Sequence, residues 1–255
     1  MLRCIWCKKP NVDTDIEHII PEALGCPEGF VLTAGAVCGS CNNNLGHLDQ
    51  AVIDEFDIPA FMAGVRGKRG RPPKINSRGN MFGTWGESGP VIHVNMGRNP
   101  IKAEGGHLLA APGKSKRNIK AHLRRSLNVA DVSFQIRLGE GSKFVRGIVK
   151  IAFSSLAFFH GLTEVLADHF DPIRRFVIEG DGVRKIIWMG AADDQFINEV
   201  RPPLRHESGD YYAISFCLDN IEFLVDLSLD MRLFPIFKEK AYELYGSTGW
   251  SWLPL

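Results

Sequence analysis

With 255 residues, 45% of them hydrophobic, the chain is long enough to bury one large core or two modest ones. No run reaches the roughly eighteen apolar residues of a membrane span, and the N-terminal sequence lacks the apolar segment of an export signal, so we expect a cytoplasmic protein without a membrane segment. The net charge of +1 is unevenly distributed, because residues 1–60 carry −6, residues 61–125 carry +12 and residues 126–255 carry −5. Such a basic block indicates a polyanionic partner, although a solvated basic loop would have the same composition.

Two Cys-x-x-Cys pairs stand in the first 60 residues. Cys4 and Cys7 form the first pair, and Cys38 and Cys41 form the second. A two-residue spacer lets both thiolates of a pair face one ion, and four sulfurs complete the tetrahedral shell that structural Zn²⁺ prefers. In a reducing compartment this interpretation is favoured over two redox pairs or two disulfides. We therefore predict a zinc site that helps to order this segment.

The remaining cysteines, Cys26 and Cys217, fall outside this spacing and are predicted to be ordinary thiols.

The segment between the pairs has a specific pattern. Residues 16–25 read Ile-Glu-His-Ile-Ile-Pro-Glu-Ala-Leu-Gly, and the second pair is followed at once by Asn42, which opens a predicted helix over residues 42–56. An acid–histidine pair between two zinc knuckles, with an Asn directly after the second, resembles the HNH endonucleases of the ββα-metal fold. The resemblance covers roughly residues 4 to 50 and implies a nuclease.

The resemblance also implies a role for each polar residue. His18 is the general base, and an imidazole is well suited to accept a proton near neutral pH. Glu17 and Asn42 are the ligands of one Mg²⁺ or Mn²⁺ ion, while zinc at the cysteines is a scaffold. The family usually has an Asn where this chain has Thr33, so we expect either that Thr33 partly substitutes for it or that the loop before Cys38 is braced differently.

Other interpretations of the same residues stay open. Asn42 would also serve as an ordinary helix cap. His47 and Asp49 lie further along the predicted helix, where they would either reach the metal or phosphate or belong to the scaffold.

A basic segment follows. Its candidate nucleic-acid-binding residues are Arg66, Lys68, Arg69, Arg71 and Lys74. The Arg-Gly-Arg-Pro core resembles an AT-hook, which lies extended in the minor groove of A·T-rich DNA. A phosphate-binding loop without sequence preference and a flexible linker are the alternatives, and Gly and Pro predict a loop over residues 64–80. Further cations extend the same basic surface: Lys114, Lys116, Arg117, Lys120, Arg124 and Arg125.

The rest of the chain mixes helix and strand patterns without regular alternation. We predict strands over residues 91–94, 132–138, 185–189, 211–217 and 221–227, helices over 118–127 and 144–167, and a turn-rich connection over 111–116. Residues 143–152 and 170–176 resemble segments that accompany this HNH variant, and Arg174 and Arg175 would either bind phosphate or pair with Asp171.

The sequence thus predicts an α+β protein with an HNH unit (residues 1–62), a basic linker or loop (63–80) and a mixed accessory domain (81–255). The expected function is hydrolysis of DNA phosphodiester bonds, with double-stranded DNA as partner. A non-catalytic zinc-dependent DNA-binding module, a zinc-stabilised protein-interaction module and an RNA-directed nuclease are the alternatives, and homo-oligomerisation is open.

Overall fold

The computed structural model of the chain describes most of its residues. They are residues 2–12, 16–67, 70–71, 74–78, 81–87, 89–94, 102–103, 106–110, 119–125, 130–136, 138–139, 141–190, 198–205 and 212–253. None of the helices in these segments is long and apolar enough to cross a membrane.

The N-terminal region consists of two small antiparallel strand pairs and one long helix. The elements are β1 (Leu2–Arg3), β2 (Pro10–Asn11), β3 (Glu17–His18), β4 (Val31–Leu32) and α1 (Gly39–Met62). A single 3-10 turn, Glu22–Leu24, lies between β3 and β4.

Helix α1 forms because its apolar residues recur at helical spacing. Leu45, Leu48, Val52 and Phe56 are all buried, so that one face of the helix turns to the core. The predicted helix is confirmed, and it extends three residues further towards the N-terminus and six further towards the C-terminus. Pro59 lies within its last turn, where the helix ends soon afterwards.

Two antiparallel sheets occupy the middle of the chain. The first contains β5 (Lys74–Arg78), β6 (Met81–Gly86) and β7 (Gly89–Val94) in that order. The second has the order β11-β10-β9-β8, formed from β8 (Lys102–Ala103), β9 (Gly106–Ala110), β10 (Ile119–Arg125) and β11 (Ala130–Ile136).

Two sequence predictions differ from this part of the fold. The expected loop over residues 64–80 contains strand β5, which pairs with β6. The expected basic helix over 118–127 is wrong, because residues 119–125 form β10. Ile119, Ala121 and Leu123 alternate there with polar residues, and a period of two belongs to a strand. The predicted connection over 111–116 lies outside the described residues, together with Lys114, Lys116 and Arg117.

The C-terminal region combines helices with one antiparallel sheet. Its helices are α2 (Ser142–His160), α3 (Leu162–Val165), α4 (Asp171–Glu179) and α5 (Phe234–Tyr245). Its strands are β12 (Ile186–Gly190), β13 (Glu199–Val200), β14 (Leu204–Arg205), β15 (Tyr212–Leu218), β16 (Ile221–Asp226) and β17 (Trp250–Leu253). The sheet order is β13-β15-β16-β12-β17, with β14 beside β15.

Sequence predictions for this region hold with small shifts. The hairpin β15–β16 is confirmed, and its turn residues Asp219 and Asn220 have φ values of 49° and 61°. The predicted helix over 144–167 is divided, because Gly161 adopts φ 86° after the last turn of α2.

Helix α2 lies at the centre of the molecule. Its residues from Phe144 to Ala157 are almost all buried, since α1 covers one side and strands β15 and β16 cover another. Trp6 packs on Phe153 with ring centroids 5.2 Å apart, and Phe56 contacts Phe144 at 6.4 Å. One hydrophobic core therefore joins residues 4–60 to residues 144–253. The mixed helix and strand class is as expected, while the three-part division of the chain stays a prediction.

Candidate active site

Four cysteine sulfurs converge at the start of α1. The Sγ atoms of Cys4, Cys7, Cys38 and Cys41 all lie within 4.8 Å of one another, and those of Cys7 and Cys38 are 3.8 Å apart. A tetrahedral zinc site with Zn–S bonds of about 2.3 Å has edges of about 3.8 Å. The cluster therefore fits a structural zinc ion, as the spacing predicted.

Two backbone features bring the cysteine pairs together. Between Cys4 and Cys7 the chain turns sharply, and Lys8 takes the left-handed conformation with φ 58°. Cys38 precedes the first residue of α1, and its N–H donates to the Cys4 sulfur at 3.4 Å. The second pair thus enters the site on the first turn of a helix.

Burial and hydrogen bonding shift the pKa values of the cluster thiols in different directions. Burial raises the pKa of Cys4 and Cys41. Burial acts the same way on Cys38, but hydrogen bonds from the Cys41 backbone and from neighbouring thiols outweigh it and lower the pKa of Cys38. A bound divalent ion favours the thiolate form of every ligand. Four thiolates around one metal ion are therefore more favourable at this cluster than four protonated thiols.

The other two cysteines stand apart from this cluster. The Cys26 thiol donates to the carbonyl of Phe30 at 3.2 Å, and Cys217 is buried in strand β15.

The loop before Cys38 is braced by main-chain hydrogen bonds. The Ala36 N–H donates to the Thr33 carbonyl at 3.0 Å, and the Ile5 N–H donates to the Ala36 carbonyl at 2.9 Å. The Thr33 side chain is exposed. The loop is therefore attached directly to the first cysteine turn, which is consistent with the expectation of a different brace.

Strand β3 carries the predicted acid–histidine pair. Glu17 is 4% exposed and points into the core, whereas His18 is half-buried on the opposite face, because side chains alternate along a strand. In the register of the hairpin His18 lies opposite Val31, and Ile19 donates to the Phe30 carbonyl at 3.2 Å. The β3–β4 hairpin precedes α1 in the chain, and Ile19, Leu32 and Leu45 of these elements share one hydrophobic core.

A residue that the sequence interpretation overlooked reaches this strand. Lys150 of α2 is 2% exposed, and its ammonium donates to Oε1 of Glu17. The same ammonium donates to the two carboxylate oxygens of Asp49 at 2.8 and 3.0 Å. The signal was a lysine flanked in sequence by Ile148, Val149, Ile151 and Ala152, since a buried charge requires an opposite charge.

The three charges perturb one another. Burial raises the pKa of Glu17, although the neighbouring ammonium opposes this. Burial lowers the pKa of Lys150, but Glu17 and Asp49 outweigh it, and the net shift is upward. When both carboxyl groups are ionised, two carboxylates against one ammonium leave a net negative charge, which attracts a cation.

The remaining candidates lie along α1. Asn42 is half-buried directly after Cys41, and its N–H donates to the Cys38 carbonyl at 2.9 Å. Asp49 stands two turns further on, about 10 Å along the helix axis. His47 is exposed, and its Nδ1 lies 2.8 Å from the Asn44 carbonyl oxygen. The observed side-chain contacts therefore join Glu17 of β3 to Asp49 of α1 through Lys150, and Asn42 lies on the same helix as Asp49.

The basic segment forms a closed loop at its start. Gly67 donates to the Arg71 carbonyl at 3.0 Å, and Arg66 donates to the Gly70 carbonyl at 3.1 Å. Arg66, Arg71 and Lys74 are exposed, whereas Lys68 and Arg69 lie outside the described residues. An extended AT-hook conformation would require this loop to open.

Helix α4 contacts the first cysteine turn. Arg174 is buried, donates to the Ile5 carbonyl at 2.6 Å and forms an ion pair with Asp171 at 2.5 Å. Lys8 pairs with the same carboxylate at 2.6 Å. Of the two roles expected for Arg174, the ion pair is confirmed, while Arg175 is exposed.

Comparison with known protein families finds a match in the N-terminal part of the chain. Residues 4–57 match the family model described as HNH endonuclease. Comparison with curated proteins and with solved structures finds no match for the chain.

Proposed function

Because residues 4–57 match the HNH endonuclease family, we propose that the protein is a metal-dependent nuclease that hydrolyses DNA phosphodiester bonds. The observation that carries this proposal is the family match over a segment whose four sulfurs join the first cysteine turn to the start of α1, with Asn42. The same segment contains strand β3, with Glu17 and His18. In this proposal zinc has no part in the chemistry and holds the two elements together.

The proposed site uses oxygen ligands and one base. The Glu17 carboxylate and the Asn42 amide oxygen would hold one Mg²⁺ or Mn²⁺ ion, since hard cations prefer such donors. When bound, this cation offsets the charge of the phosphate and of the leaving oxygen. The excess of negative charge at Glu17 and Asp49 fits such an ion.

His18 has the role of general base. Its half-buried ring lies on the face of β3 opposite to the core and accepts a proton from water. The water oxygen attacks phosphorus, the bond to the 3′ oxygen breaks, and this oxygen takes up a proton from solvent, which leaves a 5′-phosphate and a 3′-hydroxyl.

Double-stranded DNA is the proposed substrate. The block of +12 over residues 61–125 follows the matched segment in the sequence, and Arg66, Arg71 and Lys74 are exposed within it. Contacts of this kind are made mostly to phosphates, so binding should weaken steeply as salt rises.

The test is cleavage of a plasmid by the whole chain in Mg²⁺, in Mn²⁺ and without added metal. The wild type should cleave only with metal, and His18→Ala should lower the rate by 10²–10⁴-fold, the usual contribution of a general base. DNA binding and zinc content should persist in this variant. His169→Ala, which changes an exposed histidine outside the domain, is the matched control and should retain full activity.

Three outcomes would contradict the proposal. Salt-dependent DNA binding without cleavage in any metal would indicate a binding module. Absence of salt-dependent nucleic-acid binding would indicate a protein-interaction module. Preferential cleavage of labelled RNA in competition with DNA would move the substrate to RNA.

A further inference from the structure

Lys150 belongs to the site although it lies far outside the matched segment. It is 93 residues beyond the end of that segment, on α2, and its ammonium is enclosed between Glu17 and Asp49. Glu17 is contacted through Oε1, and Asp49 through both carboxylate oxygens. The lysine thus joins β3, α1 and α2 at one point.

Stability alone does not account for this lysine. Val149 and Ile151 flank it, and both are fully buried, so an apolar side chain would suit the same environment. A buried ion pair is often no more stabilising than well-packed apolar residues, because both charges lose their hydration. However, Lys150 contacts Glu17, and Glu17 is the carboxylate that binds the cation in the proposed function.

We propose that Lys150 is a positioning residue of the nuclease site. It occupies Oε1 of Glu17 and so fixes the carboxylate group, which leaves Oε2 for the cation. This inference rests on the proposed function, in which Glu17 is a cation ligand. Helix α2 then completes a site that the HNH domain does not complete by itself.

The same geometry gives Asp49 an indirect role. Both carboxylate oxygens of Asp49 accept hydrogen bonds from the ammonium. The Asp49 side chain is 24% exposed. It acts through Lys150, because it orients the group that orients Glu17. A residue that acts only through another adds nothing once that other is removed.

The experiment compares Lys150→Met, Asp49→Asn and the double variant in the whole chain. Lys143→Met is the matched control, since it makes the same change on the exposed first turn of α2. For each protein we would measure the Mn²⁺ dissociation constant without DNA by electron paramagnetic resonance, the zinc content, the Tm, and kcat and KM for cleavage.

Loss of the lysine should impair the metal site selectively. Removing a residue that orients a metal ligand typically costs 10–100-fold in metal affinity or activity. Lys150→Met should therefore raise the Mn²⁺ dissociation constant and lower kcat by such factors, with little change in KM for DNA or in zinc content. Asp49→Asn should have a smaller effect, and the double variant should match Lys150→Met within about twofold.

Two results would overturn the inference. An unchanged Mn²⁺ dissociation constant in Lys150→Met, with a lower Tm alone, would show a purely structural lysine. Effects that add in the double variant would show that Asp49 binds the cation directly. If Lys150→Met does not fold, the double variant is compared with Asp49→Asn, because these two proteins also differ only at position 150. The double variant leaves one unpaired carboxylate fewer than Lys150→Met does. A wild-type chain that neither binds Mn²⁺ nor cleaves DNA would instead refute the proposed function.

Discussion

Asp219 is a charged residue placed where its charge is unfavourable. It lies in the turn between β15 and β16 in a left-handed conformation, which Asn adopts as readily as Asp. Burial raises the pKa of Asp219 from 3.8 to about 6. The folded protein therefore binds a proton at this carboxyl group more tightly than the unfolded chain does.

This shift predicts a pH-dependent effect of Asp219→Asn. The raised pKa favours the folded state below about pH 4, and that advantage is lost as the pH rises through 6. The variant should thus exceed the wild type in Tm by about 2–4 °C at pH 8, taking about 1 kcal/mol for this partly exposed group. The gain should vanish below pH 4, as thermal unfolding at several pH values would reveal.

The exposed Asp181 provides the control for this measurement. Asp181→Asn should leave the Tm nearly unchanged at both ends of the pH range. A gain for Asp219→Asn that is the same at pH 4 and at pH 8 would contradict the argument from burial.

At the scale of elements, the crossing of α1 and α2 determines where Lys150 lies. The helices are in close contact at Gly147, where an added Cβ would stand 2.6 Å from Val52 Cγ2 and 2.9 Å from the Leu48 carbonyl oxygen. Lys150 is three residues beyond Gly147 and lies on the same side of its helix. The close approach therefore brings its ammonium within hydrogen-bond reach of Asp49.

Gly147→Ala should separate the two helices. Alanine has the higher helix propensity by about 1 kcal/mol, but the clash with main-chain oxygen outweighs it, and we expect a net loss of about 1–3 kcal/mol. Gly46→Ala on α1 is the matched control, since no atom lies within 4 Å of its added Cβ. Denaturant unfolding should show Gly46→Ala to be as stable as the wild type or up to about 1 kcal/mol more stable. A Gly147→Ala variant with the same free energy of unfolding as Gly46→Ala would refute the steric argument.

At the scale of the whole molecule, the cysteine cluster and the C-terminal sheet share one core. Cys4 and Trp6 belong to the same buried cluster as Phe216 and Phe223. The ion pairs of Lys8 and the hydrogen bond of Arg174 attach α4 to the first cysteine turn. Disruption of the cysteine cluster should therefore destabilise parts of the protein well beyond residue 57.

Loss of zinc should lower the stability of the entire chain. Cys41→Ser removes one of four sulfurs, and the Tm should fall by more than about 10 °C if several kcal/mol are lost. Calorimetry should show one transition that moves as a whole, with Cys26→Ser as a control that keeps its zinc. Two separate transitions, the upper one unmoved, would show that the C-terminal region folds independently.

Local pattern was sufficient for the features that depend on neighbours in the chain. The four cysteines, the helix that starts beside them and the hairpin β15–β16 all follow from spacing over a few residues. The basic residues of β10 are compatible with a helix, but Ile119, Ala121 and Leu123 alternate with polar residues, and this period of two is that of a strand.

By itself the sequence determined which four cysteines come together, the resemblance of residues 4–57 to the HNH endonuclease family and the mixed helix and strand class, since each rests on residues close together in the chain or on overall composition. Only the tertiary structure decided the partner of Glu17. Glu17 and Lys150 are 133 residues apart, and no periodicity indicates that a lysine on one helix will meet a strand so distant in sequence. The pair forms because α2 is buried against α1 on its Gly147 face, and a buried ammonium is stable only beside carboxylates.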